Sequence, residues 1–204
     1  NSATLLYFPT GGGKSEAFLG LLLFTLFLDR LRGKERGVSA MLRYPLRLLT
    51  LQQAQRTAKA LAQAELVRRR RNHQGEPFSQ GFWVGSSNTP NWLGDEDLQA
   101  MVPKLSAQPL SAESELTSEG GKKSYNTALE RWRKLATCPF CDSSAGIALR
   151  RLDTRDGLLG HFCLEPKCSW NESHKESTPL PFYIVDEDIY DIAPSVLLGT
   201  VDKL

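Results

Sequence analysis

The chain has 204 residues, with 25 Lys and Arg against 23 Asp and Glu, 41% hydrophobic residues and four cysteines. This mixture excludes collagen-like, mucin-like and wholly disordered chains, and it suffices for one domain with a sizeable core or one domain carrying an insertion. The net charge of +2 is a cancellation: residues 1–75 hold 13 basic and 4 acidic side chains (+9), and residues 76–204 hold 12 and 19 (−7), so a basic N-terminal segment suits a phosphate-bearing partner as well as it suits solvated helix faces.

Thr4–Phe8 is a short apolar run ending at Pro9, the pattern of a buried strand. A glycine turn, Gly11–Gly13, follows, and then a long apolar helix from Lys14 to about Arg32, stopped by Gly33. Its longest apolar stretch, Ala17–Leu28, has 12 residues, short of the roughly 20 that span a bilayer, so it reads as a core helix. The opening residues contain no charged region and cleavage site of a signal peptide, which points to the cytosol, and the missing initiator Met reads as a piece of something longer. Val38–Tyr44 is a second expected strand. Pro45 opens a second long helix, rich in Leu, Ala, Gln and Arg, that runs to about Arg71; Phe82–Gly85 is a third strand. This alternation predicts βαβ units and a parallel sheet. Residues 103–123 are rich in Ser, Glu, Gly and Pro and read as a loop; Tyr125–Ala136 can form a helix; Phe182–Val185 and Ser195–Gly199 are further expected strands.

Phe8-Pro-Thr-Gly-Gly-Gly-Lys-Ser15 lies between strand and helix, the context of a phosphate-binding loop. Consecutive glycines let backbone N–H groups close round an anion, and the helix adds its positive end. Lys14 would reach the β- and γ-phosphates of ATP and the Ser15 hydroxyl would ligate Mg²⁺, with Pro9, Thr10, Gly11, Gly12 and Gly13 forming the cradle. Phe8 stands where the generic motif has its first Gly. Residues Pro9–Ser15 nevertheless resemble the x-P-T-G-x-G-K-[ST] motif of superfamily 2 helicases at each defined position. Pro45, Arg47, Leu49 and Gln52 match that family's P-T-R-E-L-A-x-Q motif, and Thr200–Leu204 is similar to its T-P-G-R-L motif, with Lys203 in place of Arg. The resemblance implies a RecA-like fold and contacts from Arg47, Thr200 and Lys203 to a nucleic-acid backbone; the plain alternative for Arg47 is a surface pairing.

Arg68–Arg71 end the second expected helix, where the dipole favours cations; direct nucleic-acid contact and a solvated helix end are equally good readings. Cys138-Pro-Phe-Cys141 and, 21 residues on, Cys163-Leu-Glu-Pro-Lys-Cys168 form two close pairs that can complete a tetrahedral Zn²⁺ site of the zinc-ribbon kind. Four thiolates leave no open position, so the metal would be structural. His161 is a possible substitute ligand but is expected to face elsewhere.

Phe182–Glu187 looks like a Walker B strand, with Asp186 for Mg²⁺ and Glu187 for water, or like a strand ending in an acidic loop. In the helicases the acidic motif follows the T-P-G-R-like motif, whereas here it precedes Thr200, so the order disfavours the catalytic role. Residues 8–21, 42–53, 83–91, 138–141 and 185–204 together resemble the DrmA family, the helicase component of DISARM anti-phage systems. That resemblance implies an ATP-driven DNA translocase, incomplete without a second RecA-like domain, and another defence subunit of the DrmB kind as partner. The expected fold is thus α/β: a P-loop, RecA-like parallel sheet flanked by helices with a zinc-ribbon insertion. Its expected parts are a core over 1–94, a loop and helical insertion over 95–136, the zinc ribbon over 137–180 and a return to the core over 181–204. The competing function is a nucleotide-regulated, zinc-containing binding module without motor activity.

Overall fold

The apolar run after the glycine turn forms α1 (Lys14–Leu31), and the chain leaves it through Gly33, whose φ of 85° suits glycine. There follow β1 (Ala40–Tyr44), α2 (Leu51–Arg70), β2 (Gln80–Trp83), α3 (Glu96–Met101), α4 (Glu119–Trp132), β3 (Ile147–Leu152), β4 (Leu158–Cys163), α5 (Ser169–Ser173), β5 (Phe182–Tyr183), α6 (Asp186–Ile192) and β6 (Val196–Thr200). This computed structural model describes residues 13–44, 51–84, 89–92, 94, 96–105, 118–143, 145–152, 158–174 and 178–200. The expected strand Thr4–Phe8 lies outside them.

Four strands form a parallel sheet in the order β1-β6-β2-β5. Strand β6 is thus inserted between β1 and β2, and its run Val-Leu-Leu-Gly-Thr is buried at every position, as a central parallel strand requires. The edge strand β1 alternates between half-buried and exposed residues. Leu22 and Leu26 of α1 pack with Leu61 and Ala64 of α2, Phe78 and Val196 on one face. On the other lies α6: a Cβ added to Gly81 would meet Leu197, Pro194 and Ile189 at 2.9–3.3 Å, so only a glycine lets the helix come so close. The result is an α/β fold with a mostly parallel sheet flanked by helices.

Between β2 and β5 the chain builds α3, α4, an antiparallel hairpin β3–β4 paired from Ile147↔Cys163 to Leu152↔Leu158, and α5. These share one hydrophobic core with the sheet: Ala54, Ala58 and Ala62 of α2, Phe82, Leu198 and Phe182 pack in one cluster with Tyr125, Trp132, Leu149, Trp170 and the cysteines. The cysteine-bearing segment is therefore packed onto the sheet rather than hung from it.

Three expected elements are corrected. The helix expected from Tyr125 begins at Glu119 inside the segment read as loop, because the Ser118 hydroxyl accepts the Gly121 amide at 3.1 Å and caps it. The third strand runs over Gln80–Trp83 rather than Phe82–Gly85, its register set by β6 through Gln80↔Val196. The expected strand Phe182–Val185 ends at Tyr183, and Asp186, Glu187 and Asp188 form the first turn of α6, where acidic side chains meet the positive helix end.

Candidate functional site

Each cysteine pair sits at the end of a short backbone knuckle. Cys138 and Cys141 follow α4, with the Asp142 amide returning to the Cys138 carbonyl at 3.0 Å; Cys163 closes β4, and Cys168 precedes α5. All four sulfurs lie within 4.8 Å of one another, with Cys138–Cys168 at 3.7 Å and Cys141–Cys163 at 3.6 Å. A disulfide would bring sulfurs to about 2.05 Å. A tetrahedron of thiolates about 2.3 Å from a zinc ion has edges of about 3.8 Å, close to the two observed spacings. Cys138, Cys163 and Cys168 are buried and Cys141 half-buried, and all are free thiols. The four can hold a metal ion such as zinc.

The surrounding backbone favours thiolates. The Glu165 amide donates to Cys163 Sγ at 3.4 Å, and amides of Trp170 and Asn171 donate to Cys168. Contacts from the Cys138 and Cys163 thiols hold Cys168 down to about 2, whereas its contacts with Cys163 and Cys168, together with burial, push Cys138 far up. A divalent ion would let all four thiols ionise together. His161 is fully buried and stands apart from the sulfur cluster: its Nε2 accepts the Lys134 amide at 3.3 Å, and burial lowers its pKa to about 3, so the ring is neutral.

The arginine run has a role that sequence reasoning missed. Arg68 Nε and Nη2 donate to the two oxygens of Glu65 at 2.7 and 2.8 Å, Arg69 Nε donates at 2.7 Å, and the Phe78 amide adds a fourth bond at 3.0 Å. Burial alone raises the Glu65 carboxyl, but these donors hold it below its ordinary range. Arg69 also lies 4.7 Å over the Trp170 ring, itself stacked on His174 at 3.9 Å. Arg68 and Arg69 therefore brace the core, leaving Arg70 and Arg71 exposed beside Val67. The signal lay in Glu65, three and four residues before them.

At the phosphate loop, Pro9, Thr10, Gly11 and Gly12 lie outside the described residues. Gly13 is the N-cap of α1 in a left-handed conformation (φ 74°), with no side-chain cap among the described residues. Lys14 is exposed and Ser15 half-buried in the first turn. Arg56 of α2 pairs with Glu16 in that same turn. Arg47 and Lys203 lie outside the described residues. Thr200 ends β6 opposite Tyr44 and is buried, so its hydroxyl has little access to a ligand. Asp186 is buried and Glu187 exposed, their amides donating to the Pro90 and Asn91 carbonyls at 3.3 and 3.2 Å. Asp188 accepts the Leu159 amide at 3.3 Å, and burial with Glu187 and Asp191 nearby raises it to about 7. Among the described residues no helix is long and apolar enough to cross a membrane.

The chain is 34% identical to the DISARM protein DrmA of Bacillus paralicheniformis over 216 aligned positions, which cover 98% of this chain and 17% of that protein. No family model matches the chain. The chain thus spans about a sixth of the length of the relative it matches, with the similarity running almost from end to end of its own sequence.

Proposed function

We propose that this chain is the ATP-binding part of a superfamily 2 DNA translocase acting in a DISARM-type anti-phage system in the bacterial cytoplasm. The observation that carries the reading is the similarity to a DISARM protein over nearly the whole chain, joined to a Gly-Gly-Gly-Lys-Ser sequence whose last glycine is left-handed and opens a helix. In this reading, residues 9–15 cradle the phosphates of ATP, Lys14 meets the β- and γ-phosphates, and Ser15 ligates Mg²⁺. Arg47 and Lys203 hold the backbone of one DNA strand, with the buried Thr200 fixing the strand end between them. The order of motifs disfavours Asp186 and Glu187 as the catalytic acids, and their place in the first turn of α6 also suits acidic side chains meeting the positive helix end.

Cys138, Cys141, Cys163 and Cys168 would hold Zn²⁺, which supplies cross-linking of the two knuckles and no open coordination position. The working units are a core over 1–94, an insertion over 95–136, the metal-bearing ribbon over 137–180 and the core again from 181. ATP turnover needs arginines from a second RecA-like domain, and a DrmB-like subunit is the expected partner. The test is DNA-stimulated ATP hydrolysis by the full-length parent protein. Lys14→Ala is expected to lower the stimulated rate by about a hundredfold, the scale of removing one charge-stabilising donor. Hydrolysis indifferent to DNA, or unchanged in Lys14→Ala, would falsify the motor reading.

A further inference from the structure

We propose that metal occupancy at the cysteine centre and the position of helix α2 form one linked equilibrium, with Gln55 as the positioning residue between them. The inference rests on the metal reading of the four thiols and goes beyond a brace confined to the insertion. Gln55 uses both ends of its amide on the residues just ahead of Cys138: its Oε1 accepts the Ala136 and Thr137 amides at 2.9 and 3.3 Å, and its Nε2 donates to the Thr137 carbonyl at 3.0 Å. One turn on, Lys59 pairs with Asp142, the residue after Cys141, at 2.6 Å, and Asp142 also accepts from the Thr137 hydroxyl. The second cysteine pair is reached from the other end of the helix, where Arg69 covers Trp170, two residues after Cys168, and meets His174.

Gln55 and Arg69 stand about four turns apart, roughly 21 Å along the axis. Each pair of cysteines is therefore fastened to a different end of α2, and the small side chains Ala54, Ala58 and Ala62 let the metal-bearing segment lie close between those points. A metal ion draws the two pairs together and fixes both anchor points of the helix. Linkage is reciprocal: whatever loosens Gln55 weakens the metal by the same factor by which the metal orders Gln55. The helix so held is the one that carries Gln52, a position of the second helicase-like motif.

The test measures zinc affinity by competition with a chromophoric chelator and amide hydrogen exchange along α2, with and without zinc, in the 204-residue chain. Gln55→Met, which keeps the length but removes all three bonds, is expected to bind zinc about tenfold more weakly, as when partners that orient metal ligands are removed. Lys59→Ala, which alters an exposed pair and leaves the core intact, should show a loss of about two- to threefold. Arg70→Ala, on the same helix but turned to solvent, should match the unaltered chain. Stripping zinc should speed exchange at the amides around Gln55, and restoring zinc should reverse it. Unchanged zinc affinity in both Gln55→Met and Lys59→Ala, or α2 exchange indifferent to zinc, overturns the linkage while leaving the metal centre standing. A chain that binds no zinc at all overturns the metal reading, and the linkage with it.

Discussion

Helices α1 and α2 lie side by side, and their burial runs opposite to their composition. The apolar α1 buries only Leu22 and Leu26 and turns Phe18, Leu21, Phe24 and Leu31 outward. The polar α2 buries eight residues, among them Glu65 and Arg68. The reason is position. One side of α1 meets α2 and the sheet and the described structure places nothing over the other, whereas α2 is enclosed by α1, the sheet and the cysteine-bearing segment. Burial of a helix is thus set by how many of its faces find a partner. Where a polar helix is enclosed, its charges must be satisfied internally, as Glu65 is by Arg68, Arg69 and the Phe78 amide.

The largest way to break this contrast is to remove the metal that would close the cysteine side. Stripping zinc with a chelator, or substituting Cys168→Ser, is expected to lower the melting temperature well below that of any single substitution on α1. Binding energies of structural zinc in small domains reach ~10 kcal/mol and appear as folding energy. Metal analysis of the reduced chain should find about one zinc per molecule, and a zinc-free chain with an unchanged melting temperature would count against the site. Next in size is Glu65→Ala. It strands the buried ends of Arg68 and Arg69 without their carboxylate, and breaking such a pair costs about 3–5 kcal/mol, readable by urea denaturation. A loss below 1 kcal/mol would mean that the charges are solvated and that α2 is less enclosed than it looks.

The buried carboxyl of Asp188 sharpens the comparison through pH. Burial, with Glu187 and Asp191 close by, raises it to about 7 from an ordinary value of 3.8, so the fold favours the protonated acid. Its contribution is full below the ordinary value and is lost as pH rises through about 7. Asp188 by itself therefore favours the fold more at pH 5 than at pH 8, whereas the buried neutral His161 works the other way as pH falls below its ordinary 6.5. Asp188→Asn, whose carbonyl can still accept the Leu159 amide, should flatten that difference and stabilise the chain at pH 8 by up to ~4 kcal/mol. Equal pH dependence in both proteins would mean that Asp188 ionises freely.

How much of this was legible in the sequence depends on whether the decisive partner was near in the chain. Spacing alone pairs the cysteines, and the structure brings the four sulfurs together. The apolar runs around 40–44, 182–183 and 196–200 are strands, within a residue or two of their expected bounds. Strand order was not legible: that β6 enters between β1 and β2 is a matter of long-range pairing, which no local pattern records. The hairpin β3–β4 was hidden because Ile147–Leu152 contains two arginines, one of which, Arg150, is fully buried and donates to the Tyr125 hydroxyl at 2.7 Å from 25 residues away. The start of α4 was hidden by two glycines that outweigh a single serine cap in any propensity count. At the phosphate loop, sequence carries nearly the whole argument, since the described residues begin at Gly13.

The smallest expected effect tests the contrast on α1 itself. Phe24 is 64% exposed and Leu26, two residues on, is 1% exposed. If α1 has one partnered face, the two positions should behave as surface and core despite similar chemistry. Leu26→Ala removes atoms packed with Leu22, Leu61 and Val196 and should cost about 2–5 kcal/mol. Phe24→Gln places a good helix former where a large apolar ring meets water and should change stability by no more than about 0.5 kcal/mol. Comparable losses at both positions in urea denaturation would show that the outer face of α1 is packed in solution, and the difference between the two helices would then be one of degree.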